Sequence, residues 1–300
     1  MPEIRFGIAP IGWTNSDLPE LGGDIPLETC LAESRMAGFT GTESGVKFPM
    51  DADALAPILR EHGLQLVSGW FSGELLRRSV EEEKERIEEQ LATFHTLGAP
   101  VLVYAETTGS VQAKQDTPVA DRPTMAEADF PAYGAKLTEL AEYLADRGVP
   151  MTYHHHMGTV VETEAEVDRL MAHTGEAVGL LLDTGHLVFA GGDPIATTKR
   201  HGHRINHVHC KDIRRPILDK VRAQRMSFLD GVIEGVFTVP GDGFIDYDAF
   251  ARTLAEIGYS GWAVVEAEQD PAKAPPLEYA RKGYACLERA FTAAGYTIVK

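Results

Sequence analysis

Imidazoles and carboxylates collect at the ends of short apolar runs in this sequence. Glu43 closes Phe39–Glu43, Trp70 closes Leu64–Trp70, and Glu106 follows Pro100–Ala105. Val149–His154 leads into His154-His155-His156, and Val178–Asp183 into Asp183-Thr184-Gly185-His186. Ile205–Cys210 carries His207 and His209 and meets Lys211-Asp212, while Trp262–Ala267 carries Glu266, with Glu268 just beyond. Along a strand, alternate residues share a face, which groups His154 with His156, His207 with His209 and Lys211, and Glu266 with Glu268. Ionisable groups are not gathered in apolar surroundings without partners or ligands. His, Asp, His and Glu on four successive runs form a donor set for a divalent metal. Mixed nitrogen and oxygen donors favour Mn, Co, Fe or Zn over Ca or Mg. The one thiol nearby, Cys210, falls on the opposite face.

Each residue also has a plainer reading. A triple histidine is often a tag, but this one is internal and follows a strand. His207 suits a hydrogen-bonded core histidine one layer deeper. Asp183, after Leu180-Leu181-Leu182, suits the cap of the following turn. Lys211-Asp212 suits an ordinary ion pair, and Cys210 a small buried hydrophobe. Trp13 and Trp70 offer flat walls for a ring or simple packing. The run Glu81–Glu89, with Glu82 and Arg86 at i, i+4, reads as a solvated helix face.

Eight apolar runs are candidate strands: the seven above and Ile4–Ala9. Amphipathic stretches separate them, at Leu27–Met36, Asp53–Glu61, Tyr133–Asp146, Tyr247–Ile257 and Tyr279–Ala293. Two more helices open at capping boxes, Ser79-x-x-Glu82 and Thr163-x-x-Glu166. Gly38, Gly63, Gly98, Gly148 and Gly258 suit left-handed helix ends. Strand then helix, eight times, predicts parallel pairing and a (β/α)8 TIM barrel rather than an open doubly wound sheet. No G-x-G-x-x-G follows the first run, so the dinucleotide-fold cue is missing. Residues 1–300 read as one domain, with long strand-end loops near 107–129 and 213–243. In such a barrel the C-terminal strand ends converge on the face where chemistry is done.

With 28 Lys+Arg against 45 Asp+Glu in 300 residues, the chain carries a net charge of −17, which argues against a nucleic-acid partner. No apolar run approaches the ~18 residues of a membrane span, and Met1–Ile8 lacks the features of a signal peptide. Three widely spaced cysteines exclude a disulfide scaffold and point to a reducing cytoplasm.

Several segments carry a family resemblance: Ala9-Pro10-Ile11-Gly12-Trp13, Gly41-Thr42-Glu43, Tyr153-His154-His155-His156-Met157-Gly158-Thr159 and Leu182-Asp183-Thr184-Gly185-His186. Further along come His207-Val208-His209, Lys211-Asp212, Thr238-Val239-Pro240-Gly241-Asp242-Gly243 and Val264-Val265-Glu266-Ala267-Glu268-Gln269-Asp270-Pro271. Together they resemble the inosose dehydratases, a branch of the xylose-isomerase-like barrels. The resemblance implies dehydration of 2-keto-myo-inositol (scyllo-inosose), a cyclic polyol ketone, to a trihydroxycyclohexane-1,2-dione in inositol catabolism. It also implies Mn or Co, a reported association with glutathione, and a homo-oligomer, dimer or tetramer. Asp183, His209 and Glu266 match three ligand positions of the wider superfamily. Where related isomerases carry a fourth ligand Glu, this chain has His154, with His156 on the same face as the alternative. The expected chemistry has His156 or Glu106 move the proton and His186 or Lys211 assist the departing hydroxyl. Glu43, Trp70, His155, Arg215 and Glu268 are the expected substrate contacts. A metal-dependent sugar or keto-inositol isomerase or epimerase is the alternative on the same fold.

Overall fold

Parallel strands covered on both faces read as near-continuous apolar runs, and these runs become the wall of the computed structural model, which describes residues 2–300. The strands are β1 (Glu3–Ile8), β2 (Gly41–Glu43), β3 (Gln65–Ser68), β4 (Trp70–Gly73), β5 (Leu102–Glu106) and β6 (Met151–His154), followed by β7 (Gly179–Asp183), β8 (Ile205–Cys210), β9 (Asp212–Ile213), β10 (Phe237–Thr238), β11 (Gly261–Val265) and β12 (Thr297–Ile298). Nine of them lie parallel in the order β3-β2-β1-β11-β8-β7-β6-β5-β4. The barrel closes through the chain itself, because only Gly69 separates β3 from β4. Ser44 N–H donates to the Ser68 carbonyl (2.9 Å) and Val103 N–H to that of Gly69 (3.1 Å). The expected third run, Leu64–Trp70, is therefore broken at Gly69 and extends to Gly73. Gly69 suits that crossing, since a Cβ there would lie 1.9 Å from Ser44 Oγ and 2.7 Å from the Phe94 ring.

The inside of the barrel is small. Ala9, Val67, Trp262 and Val264 fill it as a cluster of their own. Gly41 makes room for the indole: a Cβ would stand 2.4 Å from Val67 Cγ1 and 2.5 Å from the Trp262 ring. The larger core lies outside the strands, under the helices.

The helices are α1 (Leu27–Ala37), α2 (Ala52–His62), α3 (Val80–Leu97), α4 (Phe130–Asp146), α5 (Glu164–Ala172) and α6 (Thr184–Phe189). They continue with α7 (Pro194–His201), α8 (Arg215–Ala223), α9 (Phe228–Glu234), α10 (Tyr247–Glu256) and α11 (Pro276–Ala293). Both capping boxes form, at Ser79 and Thr163. The run Glu81–Glu89 is not wholly solvated: Glu83 is buried, accepting the Glu74 amide (2.7 Å) and the Tyr104 hydroxyl (3.3 Å).

Residues 213–243, expected as a loop, fold into a lobe. Helices α8 and α9 and the antiparallel pair β9–β10 build it around Leu218, Val221, Phe228, Leu229, Val232 and Phe237. Helices α8 and α9 run only nine and seven residues, and α8 has no side-chain cap to mark its start. Segment 107–129 is tied to the lobe by a Pro118–Ser227 bridge, the Val119 amide on the Met226 carbonyl (3.1 Å) and Gln115 on Asp230 (2.9 Å). Among the described residues, no helix is long and apolar enough to cross a membrane.

Candidate active site

Register brings the donors together. Asp183 of β7 is the partner of His209 on β8, and Val264 of β11 lies beside His209, so Glu266 rises one pleat above. His154 ends β6 across from Leu181. One donor atom from each of His154, Asp183, His209 and Glu266 lies within 4.8 Å of the others, and all four side chains are buried. Three of them keep a buried atom turned towards the others without a hydrogen-bond partner, namely Asp183 Oδ2, His209 Nδ1 and Glu266 Oε2, while His154 presents Nε2 to Asp183. Buried polar groups are rarely left so. His209 Nδ1 is 2.6 Å from Glu266 Oε2 and 3.7 Å from Asp183 Oδ2, and His154 Nε2 is 3.4 Å from Asp183 Oδ2. The set fits a divalent cation with two imidazoles and two carboxylates. Asp183 divides its labour: Oδ1 accepts the His186 amide (2.8 Å), capping α6, while Oδ2 faces the cluster. One residue thus serves as the helix cap and as a candidate metal donor.

Glu43 aims His209. Its Oε1 receives His209 Nε2 (2.9 Å), His207 Nε2 (3.1 Å) and the Ser68 hydroxyl. A proton on His209 Nε2, held by the carboxylate, leaves the lone pair on Nδ1, the nitrogen turned towards Asp183 and Glu266. Burial opposes the Glu43 charge, but His209 and His207 outweigh it and hold the carboxyl well below its ordinary range. For His209, burial disfavours the imidazolium, and Glu43 and Glu266 overcome it, raising its pKa well above the ordinary value. A bound cation would compete with that proton.

A second cluster adjoins the first. His156, His186 and Glu268 also offer donor atoms within 4.8 Å of one another. The Lys211 ammonium sits among them, 2.6 Å from Glu268 Oε2 and 2.7 Å from His186 Nε2. Burial works against the Glu268 charge, and Lys211 outweighs it, holding its carboxyl well below the usual range. His186 is shifted down, chiefly by burial. For His156, burial lowers and Glu268 raises, with a net upward shift. The lobe roofs this cluster: the Phe228 ring lies 5.2 Å from that of His156, and Phe237 5.4 Å from that of His186.

A cavity of about 380 Å³ opens above both clusters, large enough for a six-membered polyol ring. Glu43, His154, His156, His209, Glu266 and Glu268 give its polar lining; Trp70, Ile11, Val46 and Met50 give apolar surface. A cavity of about 410 Å³ on the flank of the lobe holds Arg214 and Asp242, but these pair with each other at 2.6 Å.

A family model described as a xylose isomerase-like TIM barrel matches residues 31–290. The chain belongs to that family. Within the xylose isomerase-like barrels it is 51 % identical to the rhizopine catabolism protein MocC of Rhizobium meliloti, over 98 % of this chain and 91 % of the relative. It is 46 % identical to the inosose dehydratase of Geobacillus thermodenitrificans, over 93 % of this chain and 95 % of the relative. The crystal structure of the IolI protein, which holds a zinc atom, shares the fold at a TM-score of 0.63 and 20 % identity, covering 97 % of each chain.

Not every residue expected to act reaches the mouth of this xylose isomerase-like barrel. Val103 lines the cavity, so strand parity turns Glu106 away; it accepts the amides of Thr108 (3.1 Å) and Leu76 (3.3 Å) instead. His155 also points outward. Its Nε2 accepts the Asp183 amide (3.4 Å), and burial pushes its pKa down to about 3, so it acts as a neutral acceptor steadying β7. Arg215 is exposed at the start of α8, its guanidinium 3.9 Å from the centre of the Phe244 ring. His186 and Lys211 are fully buried beneath the lining rather than part of it. Trp13 is core, donating to Glu33 (2.6 Å), whereas Trp70 faces the site edge-on to His154 and His156. His207 is the deeper, hydrogen-bonded histidine, and Cys210 is buried. Lys211 and Asp212 do not pair with each other; Asp212 accepts the amides of Gly241, Gly243 and Ile245.

Asp17, Phe228 and Phe237 were not legible beforehand. Asp17 lines the cavity on the loop after β1, where the Asn15 side chain accepts the Asp17 and Leu18 amides (2.8 and 3.0 Å). Burial raises its pKa against the opposing influence of His156. No motif marks it; only folding brings that loop over the strand ends.

Proposed function

We propose that the chain is a metal-dependent hydro-lyase that dehydrates 2-keto-myo-inositol (scyllo-inosose) to a trihydroxycyclohexane-1,2-dione in inositol catabolism. The observation that carries this reading is 44–46 % identity, over nearly the whole of both chains, to proteins named inosose dehydratase. The site has what the reaction requires. His154, Asp183, His209 and Glu266 would hold the ion, for which we propose Mn or Co. Such a cation polarises a carbonyl oxygen and stabilises developing negative charge next to it.

Dehydration removes a proton α to the ketone and a hydroxyl from the β carbon; the carbonyl makes the α proton acidic. His156, kept protonated by Glu268, donates a proton to the departing hydroxyl, which leaves as water. Asp17, a carboxylate with a raised pKa, accepts the α proton. Groups tuned towards the working pH are the efficient ones for such transfers. Trp70 lies against a ring face, and the lobe keeps water from the histidines. These steps use no glutathione.

Adding scyllo-inosose to the Mn²⁺-loaded protein tests the proposal. The expected result is loss of one water and the absorbance of a conjugated dione. A product of unchanged mass supports an isomerase or epimerase instead. The same proposal treats residues 1–300 as one cytoplasmic domain that assembles as a dimer or tetramer, without nucleic-acid or membrane partners. Light scattering that gives a 32.7 kDa monomer at micromolar concentration overturns the assembly.

A further inference from the structure

We infer that the ammonium of Lys211 fills a second cation position, built by His156, His186 and Glu268, and that its removal uncovers a second divalent-metal site. This rests on the metal-dependent reading above. Lys211 is fully buried, and its Nζ touches three carboxylates: Glu268 Oε2 at 2.6 Å, Glu266 Oε2 at 3.3 Å and Asp183 Oδ2 at 3.6 Å. Two of those oxygens, on Glu266 and Asp183, lack hydrogen-bond partners and also face the first donor set. Carboxylates shared between two cations are how two-metal centres hold ions ~3.5–4 Å apart.

Histidine chemistry supports the same conclusion. An ammonium only donates, so His186 Nε2, 2.7 Å from Nζ, presents a lone pair to a positive charge. That leaves the ring proton on Nδ1, facing His154 Nε2 (3.2 Å) and Asp183 Oδ2 (3.4 Å). A lone pair on His186, a carboxylate on Glu268 and a neighbouring imidazole on His156 form a ligand set, and the lysine ammonium is in contact with the first two. The stem of Lys211 lies against Gly185, where a Cβ would stand 2.6 Å from Lys211 Cγ, so truncating the lysine opens room. The native centre therefore takes one ion, and its second cation is tethered to the chain.

Metal stoichiometry after Mn²⁺ saturation and dialysis, with titration calorimetry, tests this. Wild type is expected to hold one ion per chain. Lys211→Ala is expected to hold two, and Lys211→Met, which fills the space without charge or ligand, one. Adding His186→Ala or Glu268→Gln to Lys211→Ala should return the count to one. A folded Lys211→Ala holding a single ion overturns the inference. So does a wild type that takes up two ions, seen as an exchange-coupled pair by electron paramagnetic resonance, even if the variants do not fold. A wild type that binds no ion overturns the metal-dependent function itself, and the inference with it.

Discussion

Glu266 and Glu268 share one face, a pleat apart, yet meet different partners. Glu266 Oε2 stands by His209 Nδ1, whereas Glu268 engages Lys211 and lies 3.6 Å from His156. Glu266→Gln is therefore expected to lose bound metal. Glu268→Gln is expected to keep it while turnover falls ~100-fold, since outer residues typically cost ~10–100-fold. Metal content measured beside kcat decides; the reverse order would place the ligand one pleat higher. Asp17→Asn should lower kcat by ~10²–10⁴, the usual weight of a proton-transfer group, with metal content unchanged. The pH profile follows from the two shifts. Activity rises as Asp17 loses its proton above its raised pKa and falls as His156 loses its own above a raised value. Asp17→Asn removes the acid limb alone; a variant that retains that limb excludes Asp17 as the base. Glu106 teaches the converse lesson: a carboxylate at a strand end was visible, but which way it points follows from parity with Val103.

Elements deliver these residues only if the barrel closes tightly. Gly41 and Trp262 show the constraint, because indole and Cβ would occupy the same space. Gly41→Ala is expected to cost ~1–3 kcal/mol, the range for overpacking a filled core. A denaturant midpoint shift with unchanged slope checks it, and a midpoint equal to wild type refutes the packing argument. Capping boxes and glycine ends made the long helices readable because their determinants are local. The lobe was not readable, since α8 and α9 are stabilised by packing on Leu18, Met157 and each other, and Leu18 and Met157 lie far away in the chain.

At the scale of the molecule, four buried carboxylates, at Glu43, Asp183, Glu266 and Glu268, lie at the centre of a chain of net charge −17. A cation bound only by the folded state stabilises it by about 2.7 kcal/mol at 100 times its Kd. Exhaustive chelation should thus lower Tm by roughly 5–10 °C at ~2–4 °C per kcal/mol, with Mn²⁺ or Co²⁺ restoring it. A calorimetric scan that chelator leaves unmoved argues against an ion at this centre.

The sequence by itself determined the parallel barrel and the face of His154, His209 and Glu266, because apolar runs, caps and two-residue alternation are properties of neighbours along the chain. Only tertiary structure decided that Glu106, His155 and Arg215 turn away, that Lys211 sits among three carboxylates, and that Asp17 and Phe228 reach the site. Those facts depend on strand register, on the break at Gly69 and on a lobe folding over the mouth. Each is set by contacts between residues far apart in the chain, and local spacing carries no record of them.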